Sequence, residues 1–307
     1  MRLFVCLLLA AAAASGALAQ QEPDPNFNPP IESPAWPAGA GPTVLLDGAH
    51  ANFHTLEGRY QAFGRLLASD GFVVKPGGER FSGKSLAAAR VLVIANALHP
   101  SNAEDWYLPN PSAFDEEEIR AVADWVRGGG ALLLIADHMP MPGAAEALAA
   151  EFGVLFANGF AMKPDLEDGR FTYDREAGGL ADHWIAKGRS PKERVTSVAA
   201  FTGSAFRLAG PGEPLLTLPA RTVLLMPEEA WLFSKRTPRL RADGMLQGAV
   251  LRFGKGRVAV FGEAAMFTAQ VGGPERAPMG MSEKGAEQNP QFLLNVMHWL
   301  VGLIEPA

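Results

Sequence analysis

The run at residues 131–136, ALLLIA, is apolar at all six positions. A strand with one wet face alternates polar and apolar side chains, so an unbroken apolar run is a strand covered on both faces. That requirement places helices on either side of a central sheet, and the flanking sequence supplies them. Residues 43–46, 72–74 and 91–95 read as three further strands, the first rich in β-branched residues. Between the first two, Thr55 is placed to cap a helix with Leu56, Tyr60, Phe63, Leu66 and Leu67 at helical spacing and Gly71 as its stop. Residues 115–127 open on acids and put Ile119, Val122 and Val126 on one face, with Gly128, Gly129 and Gly130 behind. Residues 143–152 form another helix. The rhythm is that of a parallel, helix-flanked α/β sheet.

Beyond residue 152 the pattern changes. Residues 165–194 are polar and loop-like. Residues 249–253 and 257–261 form a hairpin around Gly254-Lys255-Gly256, which extends the sheet in antiparallel fashion. Residues 268–288 read as a long Gly-, Met- and Pro-rich loop able to close over a site. Asn289 and Pro290 are placed as cap and first residue of the last helix. Residues 20–42 carry seven prolines and read as an extended lead-in to a single domain spanning 43–305, either pinned by Phe27, Ile31 and Trp36 or left loose.

Residues 1–19 have the layout of a cleaved export signal: Arg2, an apolar stretch, then Ala17-Leu18-Ala19. The expected location is therefore periplasmic or secreted, with no membrane anchor after cleavage. The sole cysteine, Cys6, lies in that segment. The mature chain then has neither disulfide nor thiolate chemistry. It must rely on its core, and 48% hydrophobic residues suffice. Lys and Arg total 27 against 33 Asp and Glu; cleavage removes only Arg2 among them and takes the net charge from −6 to −7. Without a clustered basic face, nucleic acid is not an expected partner.

In an open parallel sheet, ligands bind beyond the carboxyl ends of the strands. The residues just after each apolar run are therefore informative. The first run leads into Asp47, His50, Asn52 and His54, the third into Asn96 and His99, the fourth into Asp137 and His138, and the hairpin strand into Glu263. Convergence of these endings predicts a ligand pocket built from Asp47, His50, Asn52, Asn96, Asp137 and Glu263, with Asp47 facing Asp137. Candidate catalytic groups are Asp137, His138 and Glu263, as general base or acid. Each also has a plain structural reading: Asp47 bonding turn amides, His50 or Asn52 orienting the next helix, His54 lying at the surface. His298 reads as a packed core histidine. No complete ligand spacing supports a metal, and no cofactor is expected. Residues 78–85 match the G-x-x-x-x-G-K-S phosphate loop. The five residues before the next strand leave no room for the long helix that such a loop needs.

The segments LLDGAHANFHT, VLVIANALH, GGGALLLIADHMP, GRVAVFGEAAMFTAQ and NPQFLLNVMHWL resemble the DUF4350-type proteins, a group within the class I glutamine-amidotransferase-like superfamily near the GldG and intraflagellar-transport-type domains. The resemblance implies a flavodoxin-like α/β fold. It also implies that Asp137 or His138 stands where amidotransferases carry a nucleophilic cysteine, which removes cysteine-based glutamine hydrolysis. Sugar-related relatives in the superfamily point to a carbohydrate-like ligand. Three functions are compatible with this: a domain binding a small polar molecule or glycan fragment, a hydrolase using Asp137 or Glu263 with or without a metal, or a protein-interaction module that uses the proline-rich lead-in. Oligomeric state is not legible.

Overall fold

The computed structural model describes residues 21–163 and 169–305, so residues 1–19, read above as an export signal, and Cys6 lie outside the described residues. Nine strands form one mixed sheet: β1 (Thr43–Asp47), β2 (Val73–Gly77), β3 (Val91–Ala95), β4 (Ala131–Ile135), β5 (Val154–Ala157), β6 (Ala205–Leu208), β7 (Glu213–Thr217), β8 (Leu246–Phe253) and β9 (Gly256–Phe261). Their spatial order is β2-β1-β3-β4-β9-β8-β6-β5, with β7 also paired to β8. The first five are mutually parallel and the rest antiparallel. The parallel half thus has the flavodoxin-like order 2-1-3-4-5, whose switch point lies beside β1 and β3.

Covering helices are α1 (Gln61–Ser69), α2 (Glu116–Arg127), α3 (Met141–Glu151) and α4 (Asn289–Val301). They explain the missing alternation. Val91, Val93 and Leu133 enter one core with Phe63 and Leu67 of α1 and Phe292 and Leu300 of α4. Leu92, Ile94, Leu132 and Leu134 enter the opposite core with Val122 and Val126 of α2 and Leu148 of α3. Every residue of β3 and β4 is buried. Each fully buried aliphatic side chain contributes about 1.5–3 kcal/mol, so no position on these strands tolerates a polar residue cheaply.

Several local expectations are corrected. Thr55 does not cap α1, which begins at Gln61 after a turn and has no side-chain cap. Asn289 does not cap α4; it is buried, donates to the Ala199 and Met266 carbonyls and accepts from the Ala199 amide. Its side chain staples α4 to the edge of a second sheet, a role with no local signature. Residues 268–288 are not an open loop. They carry the antiparallel strands Ala269–Gly272 and Ala277–Gly280. Lead-in residues Gln21–Pro23 add a third strand to this pair, and Phe27, Ile31 and Trp36 pack on the main core. Gly71 ends α1 as expected, at φ +98°; a Cβ there would come within 2.5 Å of the Trp36 carbonyl oxygen. The phosphate-loop lookalike holds a four-residue helix, Gly83–Leu86, capped by Ser82 and Ser85 on each other. Among the described residues no helix is long and apolar enough to cross a membrane.

Candidate functional site

The sheet's carboxyl edge carries two polar clusters rather than the single pocket expected. In the first, Asp47 at the end of β1 is fully buried. Its carboxylate accepts from the Ala49 amide and from Asn52 Nδ2, and both its oxygens lie 2.9 Å from His50 Nδ1. His50 Nε2 lies 3.0 Å from Glu118 Oε1. Both ring nitrogens therefore face carboxylate oxygens, which suits an imidazolium. Burial between Phe81 and Phe114 works against that charge. The bonds and charges of Asp47 and then Glu118 outweigh it, and the His50 pKa is raised above 6.5. Glu118 was not legible as a partner. It sits in the capping box that starts α2, 68 residues from His50.

This cluster links the turn after β1 to the first turn of α2, and its pH dependence has a definite sign. A histidine with a raised folded pKa stabilises fully below its unfolded pKa and loses that contribution as pH rises through the folded one. Replacing His50 with alanine should cost about 3–5 kcal/mol near pH 6, the cost of stranding buried charges. In denaturant titrations the gap between the two proteins should narrow as pH rises through the folded-state pKa of His50. A gap that widens with pH would exclude this reading.

The second cluster joins β3, β4 and β9. Asn96 Oδ1 accepts the Asp137 amide at 2.9 Å. That bond fixes the orientation of the Asn96 amide, so its Nδ2 donates to His54 Nδ1 at 3.0 Å. His54 must then carry its proton on Nε2. It is buried rather than superficial. Burial first, then the charges of Arg59 and His138, lower its pKa to about 3. It is thus a neutral hydrogen-bond donor across the physiological range. Asp137 accepts the His138 amide on Oδ1 and the Ala264 amide on Oδ2. The Ala264 bond clamps the turn after β4 to the turn after β9.

Asp47 does not face Asp137; each is engaged in its own cluster, with Asn52 and residues 95–98 between them. Glu263 does not line the cleft at Asp137. It is fully buried beneath it, accepting the Ala265 and Met266 amides at 2.7 Å each. Burial, and next the nearby Asp137, push its pKa well above 4.5 against those two bonds. A carboxyl so enclosed shapes the turn and the field at Asp137 but does not meet a solute.

Asp137, His54, Asn96 and His138 line a cleft of about 340 Å³. Phe53, Thr202, Trp231 and Gln270 complete much of its wall. The His138 ring stacks on Phe160 at 4.5 Å and meets the edge of Trp231 at 4.7 Å. Three non-glycine residues of this wall have left-handed backbones: Asn96 at φ +52°, Thr202 at +75° and Trp231 at +68°. For β-branched Thr202 this is a costly conformation. It is held by bonds from its amide to the Gly169 carbonyl and from Gln247 Nε2 to its own carbonyl. Such strain persists where surrounding structure over-determines it and concentrates at functional sites. Sequence reasoning missed Thr202, Trp231 and Gln270, since none follows a strand of the parallel block.

The remaining histidines serve locally. His99 accepts the Ser101 amide, and His183 Nδ1 accepts the Ile185 amide to cap a short helix. His298 is a packed core histidine as expected, although bonded to Asp70.

The fold is a flavodoxin-like α/β domain in which Asp137 follows β4, a strand paired in parallel on both sides within the sheet. No family model matches the chain, and no curated protein matches it in sequence. Among solved structures it is similar to the N-terminal domain of mmIFT52, at 13% identity and a TM-score of 0.61, over 86% of this chain and all of that one. It is also similar to ThuA-like proteins from Bacteroides uniformis (14% identity, TM-score 0.46, 91% of this chain and 96% of that one) and Parabacteroides merdae (14%, 0.42, 86% and 91%). At 13% identity, the likeness to the mmIFT52 domain shows the fold alone.

Proposed function

We propose that this chain is an exported, DUF4350-type domain that binds a small polar molecule in the cleft at Asp137. The observation that supports this best is the hydrogen-bonded chain from His54 through Asn96 to Asp137, which presents a fixed neutral donor and a fixed acceptor on one wall. Such preorganisation matters for recognition because little rotamer freedom remains to be lost on binding. The export signal is read from residues 1–19 alone and is testable by N-terminal sequencing of the secreted protein.

A hydrolytic reading draws on a separate observation: Asp137 occupies the turn after the central strand, beside His138. As general base, Asp137 would take a proton from water as the water oxygen bonds to the ligand's electrophilic centre; the bond from that centre to the leaving group would break, and Asp137 would return the proton to the leaving group. A thermal-shift screen of sugars, peptides and small metabolites against wild type and Asp137→Asn tests both. A ligand whose stabilisation falls at least about tenfold in apparent affinity in the variant supports the site. Consumption of that ligand by wild type only would establish the hydrolase. If no compound stabilises wild type more than the variant, the cleft is not the ligand site.

A further inference from the structure

Exposed apolar side chains are unevenly spread over this molecule. Among the described residues seven large ones are exposed, and four of them, Tyr107, Leu108, Trp231 and Leu232, fall in two segments bonded to each other. Tyr107 bridges Glu229, the Leu108 amide donates to the Glu228 carbonyl at 2.8 Å, and the Ala230 amide donates to the Trp106 carbonyl at 2.8 Å. Leu232 is 65% exposed and Trp231 49%. Leu232 lines a groove of about 690 Å³ with Glu228, Glu229, Phe233 and Arg236. The Trp231 ring is held by edge contacts to His138 and Phe160 at 4.7 Å each, so little freedom is lost when a partner covers it. Apolar side chains gathered in this way mark a contact surface, whereas single scattered ones do not.

The charges around these side chains have a definite order. Glu104 and Asp105 precede Tyr107, and Glu228 and Glu229 precede Trp231; all four are exposed. Lys235 and Arg236 form the turn that follows, and Arg239 begins the returning strand Arg239–Arg241; all three are exposed. Arg239 lies opposite Leu225, which lies opposite Phe160. It therefore shares the face of that small sheet on which Phe160 carries Trp231. None of these seven charged side chains has an ion pair or hydrogen bond among the described residues. The apolar patch thus has unpaired acids leading into it and unpaired cations leading out of it.

A basic peptide or an anionic membrane satisfies half of such a surface and is repelled by the other half. A partner that fits carries both signs in the reverse order, and a two-fold rotation of the same patch supplies it. We propose that this face pairs with a second copy of the chain. Trp231 and Leu232 meet across the two-fold axis, and Glu228 and Glu229 of each copy face Lys235 and Arg236 of the partner subunit. Aromatic and arginine side chains are the types that carry such contacts. The inference does not rest on the ligand reading of the cleft. It bears on that reading, because Trp231 also walls the cleft and pairing fixes this lip in both copies.

The test is sedimentation equilibrium of the whole chain at concentrations up to about 200 µM. Wild type should dimerise with a Kd of about 10 µM or tighter. Leu232→Asp should weaken the dimer at least about tenfold, since it places an unpaired charge at the axis. Two charge reversals supply the decisive arm. Glu228→Lys with Glu229→Lys turns the patch basic, and Lys235→Glu with Arg236→Glu turns it acidic. Each reversed chain alone should associate at least about tenfold more weakly than wild type, and an equimolar mixture of the two should form a heterodimer within about threefold of wild-type affinity. All these positions are exposed, so every variant is expected to keep the wild-type circular dichroism spectrum. The proposal is overturned if wild type stays monomeric at about 200 µM, if Leu232→Asp leaves the Kd within about twofold, or if the two reversed chains do not associate with each other. Monomeric wild type that binds phosphatidylglycerol vesicles, and loses them when Lys235 and Arg236 are reversed, would make the face a membrane contact and also overturn it. The cleft reading is decided separately, by the Asp137-dependent ligand screen.

Discussion

Replacing Asn96 with aspartate should convert His54 from a neutral Nε2–H ring to one protonated on Nδ1. In the wild type, Asn96 Oδ1 is occupied by the Asp137 amide and Nδ2 donates to His54. Aspartate can keep the first bond but has no N–H for the second. His54 Nδ1 would face a carboxylate oxygen at about hydrogen-bond distance and acquire a proton. Its pKa, now about 3, should rise. The ring-nitrogen chemical shifts of ¹⁵N-histidine-labelled protein report tautomer and charge directly. Wild type should show a neutral Nε2–H form down to about pH 4, and the variant an Nδ1–H or doubly protonated form. Identical spectra would disprove the relay. Wild-type stability carries the matching sign. A depressed folded pKa gives stability that is present above 6.5 and lost as pH falls toward about 3, at up to about 1.4 kcal/mol per pH unit. The variant should lose less over that interval.

The second large effect is expected at Asp70, remote from the cleft. Asp70 closes α1 and is fully buried. One carboxylate oxygen lies 2.6 Å from His298 Nε2 on α4, and the other accepts the Ala35 amide at 2.9 Å. Its carbonyl accepts the Trp36 amide. The clasp therefore ties α1, α4 and the lead-in together. His298 Nδ1 already lacks a partner among the described residues. Asp70→Ala would strand the whole imidazole in the core. Removing one member of such a pair costs about 3–5 kcal/mol, or a fall in Tm on the order of 10 °C. Residues 24–42 should also become more cleavable in limited proteolysis, because the Ala35 amide loses its acceptor and the His298 ring against Trp36 loses its partner. A loss below about 1 kcal/mol would show that the pair is not structural.

The sequence alone determined the layered α/β build. Unbroken apolar runs at β3 and β4 require cover on both faces, and that requirement is local and periodic. It also determined which residues stand at the sheet's carboxyl edge, since chain order and strand ends place Asp47, Asn96, Asp137 and Glu263 there. Which of these act together was decided by tertiary structure. Hydrogen bonds reach only about 3 Å, so the interposed strand β3 keeps Asp47 from Asp137, while the packing of α2 brings Glu118 to His50 across 68 positions. Burial decided the rest. It withdrew Glu263 beneath the floor, fixed His54 as a neutral donor, and turned Asn289 from an expected cap into a core staple. It also brought Trp231, Thr202 and Gln270 to the cleft from segments outside the parallel block. Strand endings are written in the local order of residues, whereas the partner of a buried polar group is set by whichever distant segment packs over it.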